Sequence, residues 1–249
     1  MALHDVSALD GEQPRTGRDE RPGGDPQQGR PAGTYSVLAD TAVVKTGVTH
    51  LSGDLGVSPS TTVTGFGPGE GTLDGATHAG DAGDAGAATA RADLATALDG
   101  ASTRLPHTEI AGDLAGRTFH AGVHHSTAAL ALTGTVTLDG EGNPDAVLHF
   151  QADAAFTTSA SSTVVLANGA QAANVFWVVH DAAGTGAGTI MAGKILARGA
   201  ITLGALTILA GRALSLGTVT LAGNTLTGAT PAVPAVGAPE PEPSGAASS

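Results

Sequence analysis

The feature that most constrains this chain is a repeat near its C-terminal end. GKILARGAITLGALTILA begins at Gly193 and GRALSLGTVTLAGNTL begins at Gly211, a period of 18 residues. Under that shift Ile195 falls on Ala213, Leu196 on Leu214, Ile201 on Val219 and Leu203 on Leu221. Within each unit apolar residues alternate with Thr, Ser and Gly at period two, which is the side-chain period of a strand. A unit of that length holds two or three short strands, enough for one turn of a β-solenoid. Val136, Leu138, Ile201, Leu203, Val219 and Leu221 are expected to point inward, and the threonines between them outward.

Composition supports narrow, regular layers. Hydrophobic residues make up 41% of the 249, but aromatics only 3%, so the core must be built from Ala, Val, Leu and Ile. An antiparallel sandwich would show hairpin turns every roughly 8–12 residues and an aromatic core; neither is prominent. The 37 glycines permit the tight corners between solenoid strands.

One segment breaks the β pattern. DAGAATARADLATALDG, from Asp84, is rich in Ala, and Ala87, Ala90, Leu94, Ala97 and Leu98 share one helical face. A helix over about 85–104 is expected, with Asp81 or Asp84 capping its start and Gly100 at C′. Its stripe needs a partner, and the flank of the solenoid is the available one. Residues 1–33, rich in Gly, Pro, Gln and mixed charge, and the Pro/Ala-rich residues 230–249 are expected to be disordered, leaving one domain over 34–229.

Charge and residue chemistry narrow the function. The net charge is −12, from 11 Lys and Arg against 23 Asp and Glu, so the surface is unsuited to phosphate backbones or anionic lipid. No stretch is apolar enough to cross a bilayer, and the N-terminal residues show no signal-peptide core. With no cysteine, thiolate and Cys-zinc chemistry are excluded. His120, His124 and His125 lie close in sequence, but in a strand 125 points away from the other two, and no His-Glu-x-x-His helix occurs. Carboxylates sit mostly in turns, as in Asp139-Gly140-Glu141-Gly142. The expectation is therefore no enzyme, no cofactor and no metal.

Several motifs, in order, resemble the ice-binding-protein-like (antifreeze/adhesin-type) family. They are Tyr35-Ser36-Val37-Leu38-Ala39 followed by the run from Thr46 to Pro59, and Gly65-Phe66-Gly67 before the helix. Then come Thr135-Val136-Thr137-Leu138-Asp139-Gly140, the run from Asp145 to Gln151, the run from Val165 to Trp177, and the glycine-led units at Gly193 and Gly211. The resemblance implies a right-handed, three-faced, discontinuous β-solenoid with one long helix packed along its side. It also implies a secreted or cell-surface protein that adsorbs to ice through a flat face, and a monomer is expected. Growth or recrystallisation inhibition is expected, rather than strong depression of freezing.

Coils stacked at strand spacing, about 4.7–4.9 Å, would place equivalent side chains in a stiff ladder. Thr offers both a methyl and a hydroxyl on a side chain restricted at χ1. The expected face comprises Thr49, Thr135, Thr137, Thr163, Thr202, Thr218 and Thr220, with Thr189 and Thr207 as a second strip. The alternative is an adhesive or structural module that uses the same face on a glycan or other surface, without ice activity.

Overall fold

In a computed structural model, residues 32–228 are described, apart from 68, 81–84, 102–104 and 106. The segments expected to be disordered therefore lie almost wholly outside the described residues, as do the proposed caps Asp81 and Asp84. Ala32 and Gly33 are exceptions. The expected disordered segment runs to residue 33, yet these two residues are buried in a short 3-10 turn, Ala32–Thr34, and Ala32 packs against the helix.

The domain is a β-solenoid of three sheet faces in which every strand pairing is parallel. Parallel pairing throughout excludes the sandwich, whose hairpins would be antiparallel. From one end the coils comprise residues 108–119, 122–139, 148–167, 175–192, 194–210 and 212–226, and then 35–51 and 54–73. Two N-terminal coils are thus stacked on the last C-terminal one, with Val37 beside Ala213, Val44 beside Thr220 and His50 beside Thr225. The eighteen-residue period is realised in the register: Gly193 pairs with Gly211, Ile195 with Ala213 and Leu196 with Leu214.

This order requires a return path. After the coil 54–73 and the strand Thr77–Ala79, the chain stands at one end of the stack and must restart at the other. The helix Ala85–Ala101 provides that path. Its 17 residues span about 25 Å at 1.5 Å each, against about 34 Å for eight stacked coils. Ala90, Leu94, Leu98 and Ala101 pack on Leu38, Phe176, Val178, Leu196 and Leu214, the outward residues of one sheet face. Ion pairs of Arg91 with Asp40 and of Asp99 with Arg198 hold the helix against two different coils. Gly100 lies inside the helix rather than at C′, and the Gln151 side-chain amide donates to the Ala101 carbonyl at the helix end.

The interior is a stack of apolar rungs. Val136, Leu138, Ile201, Leu203, Val219 and Leu221 are all buried, as the alternation requires. The few aromatics are concentrated in the first four coils. Trp177 stacks on Phe150 and Phe156 at 4.4 and 4.9 Å, and Phe119 meets Phe150 edge-on. The indole N–H of Trp177, itself almost fully buried, donates to the Ala192 carbonyl at 2.9 Å. Near the opposite end, Lys45 occupies the rung above Leu221. Its ammonium donates to the carbonyls of Gly47 and Glu70 and lies over the Phe66 ring.

Candidate functional site

The three sheet faces differ sharply in what they present outward. One is covered by the helix. A second is built from the strands Gly112–Asp113, Leu130–Leu132, Phe156–Thr158, Ala183–Thr185, Ile201–Leu203, Thr218–Ala222, Ala42–Thr46 and Val63–Thr64, in that spatial order. Its inward residues include Leu130, Phe156, Ala183, Ile201, Val219 and Val43, all buried. By strand alternation the residues between them face solvent.

The central outward column is Asp113, Ala131, Thr157, Gly184, Thr202, Thr220, Val44 and Thr64, each in register with the next. Two residues earlier on each strand lies a second column: Ala111, Ala129, Ala155, Ala182, Ala200, Thr218, Ala42 and Thr62. Backbone bonds from Leu130 to Ala155, Phe156 to Ala182, Ala183 to Ala200 and Val43 to Thr62 fix that alignment. Two residues later lies a third: Ala115, Thr133, Ser159, Gly186, Gly204, Ala222, Thr46 and Phe66. Nearly every position is Thr, Ala, Gly or Ser, with Val44 and Phe66 confined to the N-terminal coils. Asp113 is the sole charged residue in the three columns, and it sits on the edge strand. Its carboxylate accepts from the Thr133 hydroxyl, the Thr133 N–H and the Ala115 N–H, so it is tied down along the sheet. The Thr133 hydroxyl bond is the leading reason that its carboxyl is held below the usual range.

The result is a flat array with a mesh of about 4.8 Å across strands and about 6.7 Å along them. That mesh is on the scale of the water repeat in ice. Short side chains keep it flat, and β-branching limits the rotamers of its threonines. The Thr218 hydroxyl is further fixed by Thr41 at 2.7 Å.

The third face is different. Its outward column reads Thr135, Thr163, Ile190, Ile208, Thr225, His50 and Thr72. Ile190 and Ile208 are each 46% exposed, and Leu206 at the adjoining corner is 73% exposed. Bulky groups of unequal height interrupt the threonines here.

The nine threonines expected to form binding strips therefore separate into three environments. Thr202, Thr218 and Thr220 lie on the small-residue face. Thr135, Thr137 and Thr163 lie on the third face, in a different plane. Thr49, Thr189 and Thr207 are not at the surface at all, and their assignment to a binding strip is overturned. With Ser162 and Asn224 they form a fully buried polar ladder along one corner. Each immediately precedes an outward residue of the third face and so must point inward. Their polar groups are used by the corner: Thr207 bonds the Thr185 hydroxyl at 2.9 Å, Thr189 donates to the Gly186 carbonyl at 2.8 Å, and the Asn224 amide donates to the Gly204 carbonyl at 2.7 Å.

Sequence reasoning missed Thr46, Thr62, Thr64, Thr133 and Thr157, together with the whole alanine column. A signal was present. Thr62-Val63-Thr64 repeats the pattern of Thr218-Val219-Thr220, and Ala155-Phe156-Thr157 that of Ala200-Ile201-Thr202. His120, His124 and His125 lie in three different surroundings. His124 is buried against Phe150 and Phe119, and burial pushes its pKa down, while His120 is exposed beside Glu141.

Fold and site together define a surface-binding solenoid: a rigid scaffold that presents one flat, almost uncharged sheet face. Over residues 37–227 the chain matches the family model described as Ice-binding-like, and it belongs to that family. It is 37% identical to an ice-binding protein of Nostoc sp. (strain HG1) over 69% of this chain, and it spans 62% of that relative's length. It is 32% identical to ice-binding protein K3-B1 of Typhula ishikariensis, over 69% of this chain and 76% of the relative. Among solved structures, it resembles an ice-binding protein from the Antarctic ascomycete Antarctomyces psychrotrophicus. The TM-score is 0.74 at 34% identity, covering 79% of this chain and 95% of that one. Among the described residues no helix is long and apolar enough to cross a membrane.

Proposed function

We propose that this protein adsorbs to ice through the small-residue face and inhibits ice growth or recrystallisation. The observation that carries this reading is the set of three in-register outward columns of Thr, Ala, Gly and Ser, whose only charge lies on the edge strand. Such a face holds water weakly at its methyl groups and anchors it at its hydroxyls, so an ordered layer can be shared with a crystal. Stiff parallel stacking means little side-chain entropy is lost on docking. The names of the relatives support the same reading.

The function is adsorption rather than catalysis, it is exercised outside the cell, and a single chain suffices, since one face is complete within one protomer. Growing single ice crystals in solutions of the purified protein tests the proposal directly. Faceted or shaped crystals and slowed coarsening of polycrystalline ice are expected. Round crystals that coarsen at the buffer rate would exclude it, and glycan-array binding by the same face would then favour the adhesive alternative.

A further inference from the structure

We propose that His107, Glu109 and His125 form a site for one divalent transition-metal ion of the zinc class, at the end of the solenoid away from the N-terminal coils. The site is separate from the small-residue face and independent of its function. One ligand atom from each residue lies within 4.8 Å of the other two. Glu109 Oε1 is 2.8 Å from His107 Nε2 and 3.0 Å from His125 Nδ1. The two imidazole rings are 4.7 Å apart between centroids. Zinc bonds of about 2.0–2.2 Å in tetrahedral geometry put ligand atoms about 3.4 Å apart. The existing contacts therefore need to open by only about half an ångström. His107 and Glu109 are exposed and free to make that adjustment.

The fold sets the geometry. Glu109 stands on the two-residue edge strand Thr108–Glu109 and is in register with His125 on the next coil. On the far side of the His125 ring, Nε2 lies 3.2 Å from Asp153 Oδ1 on the coil after that. A proton on Nε2 donated to Asp153 leaves the Nδ1 lone pair on the side of Glu109 Oε1, the oxygen that His107 Nε2 also meets. A carboxylate behind a ligating imidazole fixes its tautomer and raises its basicity. Two nitrogens and one oxygen suit zinc, nickel or copper, whereas calcium and magnesium prefer oxygen donors alone. A water molecule would complete the fourth position. A bound ion would staple the short edge strand to its neighbour and block the open edge against pairing with another sheet. This replaces the expectation of no metal site, because neither the spacing of His120, His124 and His125 nor the later His149 and His180 points to His107 and Glu109. Glu109 lies 16 residues before His125 in the chain, and His107 two residues before Glu109.

The test is calorimetric titration of the untagged full chain with zinc chloride near neutral pH, paired with thermal melts. One site per chain and a higher melting temperature in zinc are expected, with calcium chloride giving neither. Glu109→Gln and His125→Gln should each weaken zinc binding at least tenfold, and Asp153→Asn about tenfold, while His50→Gln and His180→Gln leave it unchanged. No saturable binding in the wild type, or binding equally tight in Glu109→Gln and His125→Gln, overturns the proposal. Circular dichroism of each variant separates loss of the site from loss of the fold.

Discussion

Thr202 and Thr220 stand in register on adjacent parallel strands and face outward, each next to a fully buried residue, Ile201 and Val219. A bulky group at either threonine would rise from the middle of the small-residue face without disturbing the rung beneath it. Thr202→Tyr and Thr220→Tyr should therefore abolish or strongly reduce crystal shaping while changing stability by less than about 0.5 kcal/mol. Thr135→Tyr and Thr163→Tyr, on the third face, should shape ice as the wild type does. If the second pair loses activity and the first keeps it, the wrong face has been chosen.

The buried corner ladder makes an opposite prediction. Thr207→Val removes a fully buried hydroxyl that bonds the Thr185 hydroxyl and the Gly186 carbonyl, leaving Thr185 only the Gly204 N–H among its hydroxyl's partners. That should cost about 1–3 kcal/mol of stability with no effect on ice shaping at temperatures where the variant is folded. Chemical denaturation alongside crystal microscopy separates the two readouts. Loss of shaping in a folded Thr207→Val protein would return this threonine to the binding strip.

These two cases show what the sequence could and could not reveal. Alternation places Ile201, Val219, Val136 and Leu138 inside, because the period along one strand is local. The eighteen-residue repeat gives the register between neighbouring coils for the same reason. Which of three faces a strand occupies depends instead on the corners. Thr135-Val136-Thr137 and Thr218-Val219-Thr220 read identically, yet they lie on different sheets. The corner turns also shift phase: in the 206–208 stretch Leu206 adopts a left-handed backbone with φ 59° and is exposed, Thr207 turns inward and Ile208 outward. Unequal coil lengths then hide the kinship of Thr62-Val63-Thr64 with the C-terminal units. The cluster of His107, Glu109 and His125 was equally hidden, because it is made by register between coils rather than by spacing along one strand.

Among the described residues the helix is the long segment that buries one face against a sheet from outside, and Leu98, 1% exposed, is part of that contact. Leu98→Asp places a carboxylate in the apolar cluster that holds Leu196, Val178 and Ala101, with loss of apolar burial. A destabilisation of about 3 kcal/mol or more is expected, read as a lower denaturation midpoint. The solenoid sheets are paired independently of the helix, so far-ultraviolet dichroism below the melting point should stay β-rich. A change under about 1 kcal/mol would mean that the helix contributes little beyond its linking role.

The pH response of ice binding follows from what the small-residue face lacks. None of its outward columns contains His, Lys or Arg, and its one titrating group is Asp113. Hydrogen bonds, led by that from the Thr133 hydroxyl, hold the Asp113 carboxyl below its ordinary value of 3.8. A depressed folded-state pKa means that its contribution to stability is present above the unfolded value and is lost as pH falls through the folded one. Asp113 therefore stays ionised and bonded throughout the neutral and mildly acidic range. Crystal shaping by the wild type should be the same at pH 5 and pH 8, roughly the window in which histidines titrate. Only below the ordinary carboxylate range should the edge strand Gly112–Asp113 loosen. Asp113→Asn should remove that acid response and leave shaping at neutral pH intact. A marked loss of activity between pH 8 and pH 5 would show that a histidine-bearing surface takes part, and the third face, with His50 in its outward column, would then be the one to mutate.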